Sequence, residues 1–128
     1  MKSLALAGAL IAAASLTHAD PVHGLWKTQA DDNGNYGHVQ IGACGETICG
    51  ALRAAFDSAG NTRASDAIGR AIIWDMVATG EGAYRDGKIY APDRDRTYSS
   101  KMALSGDRLE VSGCVLGICR SQQWERIE

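Results

Sequence analysis

The stretch GHVQIGACGETICGALRAA, residues 37–55, carries the pattern that decides the fold. Val39 and Ile41 stand two residues apart, which places both side chains on one face of an extended strand. Cys44 and Cys49 then bracket a four-residue segment able to reverse the chain direction. The stretch therefore predicts two strands, 37–43 and 47–55, joined by a hairpin.

Similar short runs recur outward from this hairpin, separated by Gly, Asn and Asp turn signals, and no helical period is kept after residue 19. Hairpin turns are predicted at 32–35, 85–88 and 105–107, where residues tolerate positive φ. The polar, Ala-rich stretch 57–68 predicts a loop or one short helix over a barrel end. Further strands are predicted near 23–29, 70–78, 82–85, 88–91, 97–104, 107–113 and 119–126.

The strands have an inner face defined by a period of two. Eight to nine short strands favour closure, which removes the exposed edges of an open sheet. The predicted fold class is all-β, a small antiparallel up-and-down β-barrel with disulfides. Besides Val39 and Ile41, the residues expected to point inward are Ile72, Trp74 and Met76, then Tyr98, Ser100, Met102 and Leu104, then Leu109 and Val111.

The N-terminus has the layout of a secretory signal peptide. Lys2 is followed by an apolar run over 4–16 and by Thr17-His18-Ala19, which is small at both positions read by a signal peptidase. The alternative is a membrane anchor, but this run is shorter than the roughly 20 residues that span a bilayer. We expect cleavage after Ala19, a single domain over 20–128, no membrane span after cleavage, and a periplasmic or secreted location.

The charge of the mature chain is nearly balanced. Without Lys2, 12 of the 13 basic residues remain against 15 acidic ones, a net charge of about −3. No basic stripe favours nucleic acid as a partner.

Four cysteines remain after the expected cleavage, in two pairs of equal spacing: Cys44 with Cys49, and Cys114 with Cys119. Three disulfide connectivities are possible, and we favour these two pairs because each brackets a four-residue reversal. A zinc site made of all four thiolates is compatible with the spacing. An oxidising compartment favours disulfides instead.

The two ends of the mature chain carry related motifs, Gly24-Leu25-Trp26 and Trp124-Glu125-Arg126. Together they resemble the lipocalin or calycin superfamily, in which a Gly-x-Trp on the first strand packs near an arginine on the last. The resemblance implies that Gly24, Trp26, Trp124 and Arg126 close one end of the barrel, with the guanidinium over the indole.

A narrower resemblance rests on Cys44-Gly45-x-x-x-Cys49-Gly50, on Gly87-Lys88-Ile89-Tyr90-Ala91-Pro92, and on Gly113-Cys114 before the final strand. With the signal peptide and the terminal motifs, the chain resembles the small exported bacterial proteins grouped as domain of unknown function 2147 (DUF2147). This resemblance implies a lipocalin-like barrel and suggests binding of a small hydrophobic ligand. It implies no reaction.

The expected ligand cavity is lined by inward residues of the barrel, although each would equally serve as ordinary core. Met side chains repack easily, and Tyr offers a hydroxyl to a ligand head group. The candidate cavity residues are Ile41, Leu52, Ile72, Trp74, Met76, Tyr90, Tyr98, Met102 and Leu104.

Three functions are compatible with these residues. The favoured one is non-enzymatic binding of a small apolar or amphipathic ligand, with no metal or cofactor. The alternative is an envelope interaction or stress-accessory module with a solid core and an unknown partner protein. An enzyme with a site at the barrel mouth would need Tyr90, Tyr98, Arg94 and His38 together, which no sequence motif requires.

Overall fold

The computed structural model describes residues 19–128, so the predicted signal peptide, apart from Ala19, lies outside the described residues. Each strand pairs antiparallel with the next, and β1 pairs with β8 to close the barrel. The all-β, up-and-down barrel is thereby confirmed, with eight strands. They are β1 Gly24–Lys27, β2 Tyr36–Cys44, β3 Thr47–Phe56, β4 Ala71–Gly80, β5 Ala83–Ala91, β6 Arg96–Ser105, β7 Arg108–Val115 and β8 Ile118–Arg126.

The predicted hairpin at 85–88 is wrong, because β5 runs through it without a break. The pairing of β5 with β6 shifts register between Tyr84 and Gly87, and Asp86 has a φ of 63°. This is a β-bulge, in which extra residues on one strand oppose fewer on its partner. Asp-Gly tolerates the same backbone angles in a bulge as in a turn, which explains why the sequence signal was misinterpreted.

The other turn predictions agree with the structure. Residues 32–35 lie in the connection between β1 and β2, and residues 106–107 form the turn between β6 and β7. The stretch 57–68 is a loop, stabilised by an isolated bridge between Phe56 and Thr62. Together with residues 28–35, 92–95 and 116–117, this loop lies at one end of the barrel, called here the mouth.

The inner face of β4 departs from the simple alternation predicted for Ile72, Trp74 and Met76. Ile72, Ile73 and Met76 are buried, whereas Trp74 is only half-buried. The cause is local irregularity: register shifts in the pairing with β3 leave an extra residue beside Ile73, and Asp75 has a φ of 60°. Two such shifts change which side chains face inward.

The end of the barrel opposite the mouth, called here the closed end, is plugged by Trp26, whose side chain is fully buried. Its indole Nε1 donates to the Val22 carbonyl at 2.9 Å, and the Arg126 guanidinium carbon lies 4.5 Å from the ring centroid. Arg126 also donates to the carbonyls of Pro21 and His23, at 2.7 and 2.9 Å. One arginine therefore ties the last strand to the chain segment that precedes the first.

Gly24 is required at the base of this plug. Its φ is 148°, and a Cβ there would lie 2.7 Å from both Nη1 of Arg126 and the carbonyl oxygen of Glu128. Any larger residue would displace the arginine from the indole.

A tyrosine holds the beginning of the described chain against the closed end. The Tyr84 hydroxyl donates to the Asp20 carboxylate, while the Asp20 carboxylate also accepts from the Val22 amide. Burial, and next the hydrogen bond to Asp20, raise the pKa of Tyr84 above its ordinary value. Segment 20–23 is thus anchored to β5 as well as to β8.

The two disulfides pair Cys44 with Cys49 and Cys114 with Cys119, the connectivity favoured from the sequence. The first spans the β2–β3 turn at the closed end, and the second spans the β7–β8 turn at the mouth. Each end of the barrel therefore has one covalent clamp across a hairpin.

Removal of the closure pair should destabilise the barrel. We expect Trp26→Ala to lower the free energy of unfolding by about 3–5 kcal/mol, because it leaves a large cavity. Arg126→Ala should lower it by about 1–3 kcal/mol through the lost hydrogen bonds. Urea unfolding followed by circular dichroism measures both, with Arg108→Ala as control. Unchanged midpoints in both variants would contradict this account of closure.

The bulge makes a second prediction, because a Cβ at Gly87 would lie 2.3 Å from Sδ of the buried Met76. Gly87→Ala should therefore lower the free energy of unfolding by about 1–3 kcal/mol. In a Met76→Ala background the same substitution should do much less damage. Gly42→Ala is the matched control, since nothing lies within 4 Å of its added Cβ. If the effects of the two substitutions were additive, the Cβ added at position 87 would not be in contact with the Met76 side chain.

Alkaline unfolding tests the Tyr84 anchor. The pKa of Tyr84 is raised in the fold, above the value of about 10 for an unfolded tyrosine. Its stabilising contribution is thus present below pH ~10 and is lost as the pH rises further. Tyr84→Phe should lower stability at neutral pH by about 1 kcal/mol and make the alkaline decline shallower. Equal declines in both proteins, measured by urea unfolding across the pH range, would refute the anchor.

Candidate functional site

A cavity of about 910 Å³ opens at the mouth of the barrel. Its lining comes from strands β2 to β8 and from the mouth loops. The buried apolar side chains that line it are Val39, Leu52, Ala55, Ile72, Ile89 and Trp124.

Trp124, which the resemblance assigned to barrel closure, belongs to the same core as Trp26 and also lines this cavity. The indole is almost completely buried, and its Nε1 donates to Oε1 of Gln122 at 2.7 Å. Both residues line the cavity, so the polar edge of the indole is already satisfied by a neighbour. The ring therefore forms an apolar part of the cavity wall, with very little of its surface exposed.

The predicted cavity residues divide into two groups. Leu52, Ile72, Tyr90 and Tyr98 line the cavity. All nine belong to or pack against the hydrophobic core, but the other five do not line the cavity: Ile41, Met76 and Met102 are buried, and Trp74 and Leu104 are partly buried.

Position along the barrel axis explains this division. Ile41 is paired with Gly24, and Met102 with Tyr84, so both lie near the closed end. There the inward side chains meet across the axis and fill the interior. Alternation in the sequence identifies which face of a strand points inward. It does not give the position along the barrel axis beyond which side chains no longer fill the interior.

Gly113 is a cavity residue that the sequence analysis missed. It follows the inward Val111 by two positions in β7, and an added Cβ would be in ordinary contact with Ile89 and Tyr98, at 3.5 and 3.6 Å. A glycine inside a strand signals missing side-chain volume. That signal was present in the sequence. In the structure, the missing side chain of Gly113 leaves space in the cavity beside strand β7.

The rim of the cavity joins aromatic rings to charged groups. The Tyr90 hydroxyl donates to the Asp95 carboxylate at 2.7 Å, and the Arg70 guanidinium carbon lies 3.5 Å from the Tyr90 ring centroid. The hydrogen bond to Asp95 is the main cause that raises the pKa of Tyr90. Interaction with Tyr98 likewise raises the pKa of Arg94. These contacts hold the tyrosine rings in place at the cavity entrance.

His38 lies apart from the cavity. Its ring packs on Phe56, with centroids 4.5 Å apart, and lies near Tyr36 at 6.4 Å. Burial, and secondarily the charge of Lys27, lower the pKa of His38. The structure therefore places Tyr90, Tyr98 and Arg94 on the cavity but does not bring His38 to them.

Among residues 19–128, no group of three or more His, Cys, Asp and Glu side chains is arranged to hold a metal ion. In the same part of the chain, no helix has the length and apolar character needed to cross a bilayer.

A solved structure with a similar fold is described as "Protein HP1028 from the human pathogen Helicobacter pylori belongs to the lipocalin family". It aligns with a TM-score of 0.70 and 18% sequence identity, covering 84% of this chain and 83% of that chain. At this identity the likeness shows the fold alone, a lipocalin-like barrel. No curated protein matches the sequence.

A family model described as "Uncharacterized protein conserved in bacteria (DUF2147)" matches residues 24–126. These bounds run from the first residue of β1 to the last residue of β8, so the match covers the whole barrel. The resemblance inferred from the sequence motifs is thereby confirmed, and the chain belongs to the DUF2147 family.

Proposed function

We propose that this protein binds a small amphipathic molecule in the mouth cavity, without catalysis. The observation that carries the proposal is a barrel filled at one end and open at the other, with a cavity of about 910 Å³ at the open end. Pockets for small molecules commonly measure about 300–1,000 Å³.

The lining indicates the chemical class of the ligand. Leu52, Ile72, Ile89 and Trp124 offer apolar surface, whereas Tyr90 and Arg94 stand where the cavity meets solvent. An apolar group released from water into the cavity gains about 25 cal/mol for each Å² it buries. A polar head group would remain near the tyrosines and arginines of the rim.

The open cavity favours ligand binding over the alternative of an interaction module with a solid core. Nor does the rim support an enzyme built from Tyr90, Tyr98, Arg94 and His38, because His38 packs outside the cavity against Phe56. The Tyr90 hydroxyl donates a hydrogen bond to Asp95, and the raised pKa of Tyr90 keeps the phenol protonated at neutral pH, so it does not supply a general base. Holding a ligand requires no proton transfer from these residues.

The place of action belongs to the proposal as well. Two disulfides, one at each end of the barrel, suit an oxidising compartment. With the predicted signal peptide over 1–19, they support a periplasmic or secreted protein. Leader removal should show in the intact mass of the protein recovered from cells.

A cavity-filling variant tests the proposed function. Gly113→Leu adds a side chain toward Ile89 and Tyr98 inside the cavity, where its first atom fits without a clash. We expect it to weaken binding of a brominated fatty acid at least about tenfold, because the ligand loses volume and apolar contact. Quenching of tryptophan fluorescence reports the binding, since Trp124 lines the cavity.

The matched control is Gly42→Leu, which adds the same side chain where the backbone has open space around it. Its affinity for the probe should equal that of the unmodified protein. Equal quenching in both variants, with both folded by circular dichroism, would place the probe outside the cavity and defeat the proposal.

A further inference from the structure

The mouth carries an apolar hairpin tip that the proposed ligand site does not explain. Leu116 is 96% exposed, Ile118 is 74% exposed and Val115 is 51% exposed. These three residues surround the turn between β7 and β8, called here the apolar tip. Ile68, on the β3–β4 loop at the same end of the barrel, is also exposed. Large aliphatic side chains are thus presented to solvent around the opening.

The backbone holds the apolar tip outward. Cys114 and Cys119 face each other in the β7–β8 register and are joined by a disulfide. Leu116 and Gly117 make a tight turn with φ values of 52° and 81°. A two-residue turn clamped at its base has little freedom to fold its side chains back into the barrel. The exposure of Leu116 is therefore built into the hairpin.

We propose that the apolar tip inserts into the surface of a lipid bilayer and places the cavity mouth against the membrane. The inference rests on the proposed function in one respect: it names the membrane as the source of the amphipathic ligand. Val115, Leu116 and Ile118 all line the cavity entrance as well as the tip. A ligand passing between bilayer and cavity would cross an apolar border instead of bulk water.

The size and shape of the tip favour lipid over a protein partner. Stable protein interfaces bury about 1,200–2,000 Å² in total and need complementary surfaces, whereas the tip is a narrow projection with three apolar side chains. Such a projection suits the interfacial region of a membrane, where a few apolar side chains enter between head groups.

The charge of the hairpin agrees with this occupant. Within residues 114–121 the only charged side chain is Arg120, which also lines the cavity entrance. An arginine can keep its guanidinium at phosphate level while its stem lies along apolar surface. On the adjacent β1–β2 loop, the Asp31 carboxylate accepts hydrogen bonds from the amides of Asn33 and Asn35 and so is engaged within its own turn.

Vesicle binding tests the inference. The protein, expressed with its leader and purified in the form that cells process, is mixed with vesicles of phosphatidylethanolamine and phosphatidylglycerol and sedimented. Leu116→Ser and Ile118→Ser should each lower the partition coefficient about tenfold, since burying one such side chain contributes that order of free energy. Arg120→Gln should reduce the preference for these vesicles over zwitterionic phosphatidylcholine vesicles.

Matched controls are Val77→Ser and Ile127→Ser. They remove exposed aliphatic side chains, 37% and 43% accessible, from the half of the barrel remote from the mouth. Both should bind vesicles like the unmodified protein. Absence of vesicle binding by the unmodified protein, or an equal loss in tip and control variants, would overturn the inference. The inference would also be overturned if sedimentation velocity showed a dimer that depends on Leu116 while the protein did not bind vesicles.

The fatty-acid quenching assay in vesicle-free buffer separates this inference from the proposed function. Ile68→Ser should weaken vesicle binding but keep its probe affinity, because Ile68 is exposed beside the opening and does not line the cavity. Vesicle binding without probe binding would defeat the proposed ligand function and leave the docking tip standing. Probe binding without vesicle binding would do the reverse.

Discussion

The contact between Trp26 and Arg126 is the interaction on which the rest of the barrel depends. It joins the first and last strands at the point where the sheet closes, and its hydrogen bonds extend to the segment that precedes β1. A sheet without that junction would have two open edges. The indole is fully buried in one hydrophobic core, which extends from the closed end to the residues that line the cavity at the mouth.

The division between a filled half and an open half links the structure to its proposed role. Small barrels are just wide enough for side chains to fill or for one small ligand. Here both conditions occur in one molecule: Met76 and Met102 occupy the interior toward Trp26, whereas Gly113 leaves the opposite half with space. The disulfide at the mouth clamps the β7–β8 hairpin beside that space. Rigidity and access are therefore provided by different residues.

The sequence predicted the barrel from alternation, and the disulfide pairing from the four-residue spacing within each cysteine pair. The contact between Trp26 and Arg126 was implied by the resemblance of the terminal motifs to lipocalins. The sequence predicted the cavity only in part. The position of Ile41 or Met102 along the barrel axis depends on the stagger between neighbouring strands, which alternation within one strand does not encode. Bulges at Asp75 and Asp86 changed the facing of β4 and merged two predicted strands into β5. Both bulges use residues that the sequence presents equally well as turn formers.

The proposed function requires that the half of the barrel at the mouth carries a small amphipathic molecule. Native mass spectrometry of the protein recovered from bacterial periplasm tests it most directly, compared with the denatured intact mass and with an organic extract of the same sample. We expect one reproducible adduct at near-stoichiometric occupancy, lost on denaturation and recovered in the extract. Protein without any such adduct across independent preparations, together with no uptake of added lipid, would contradict it.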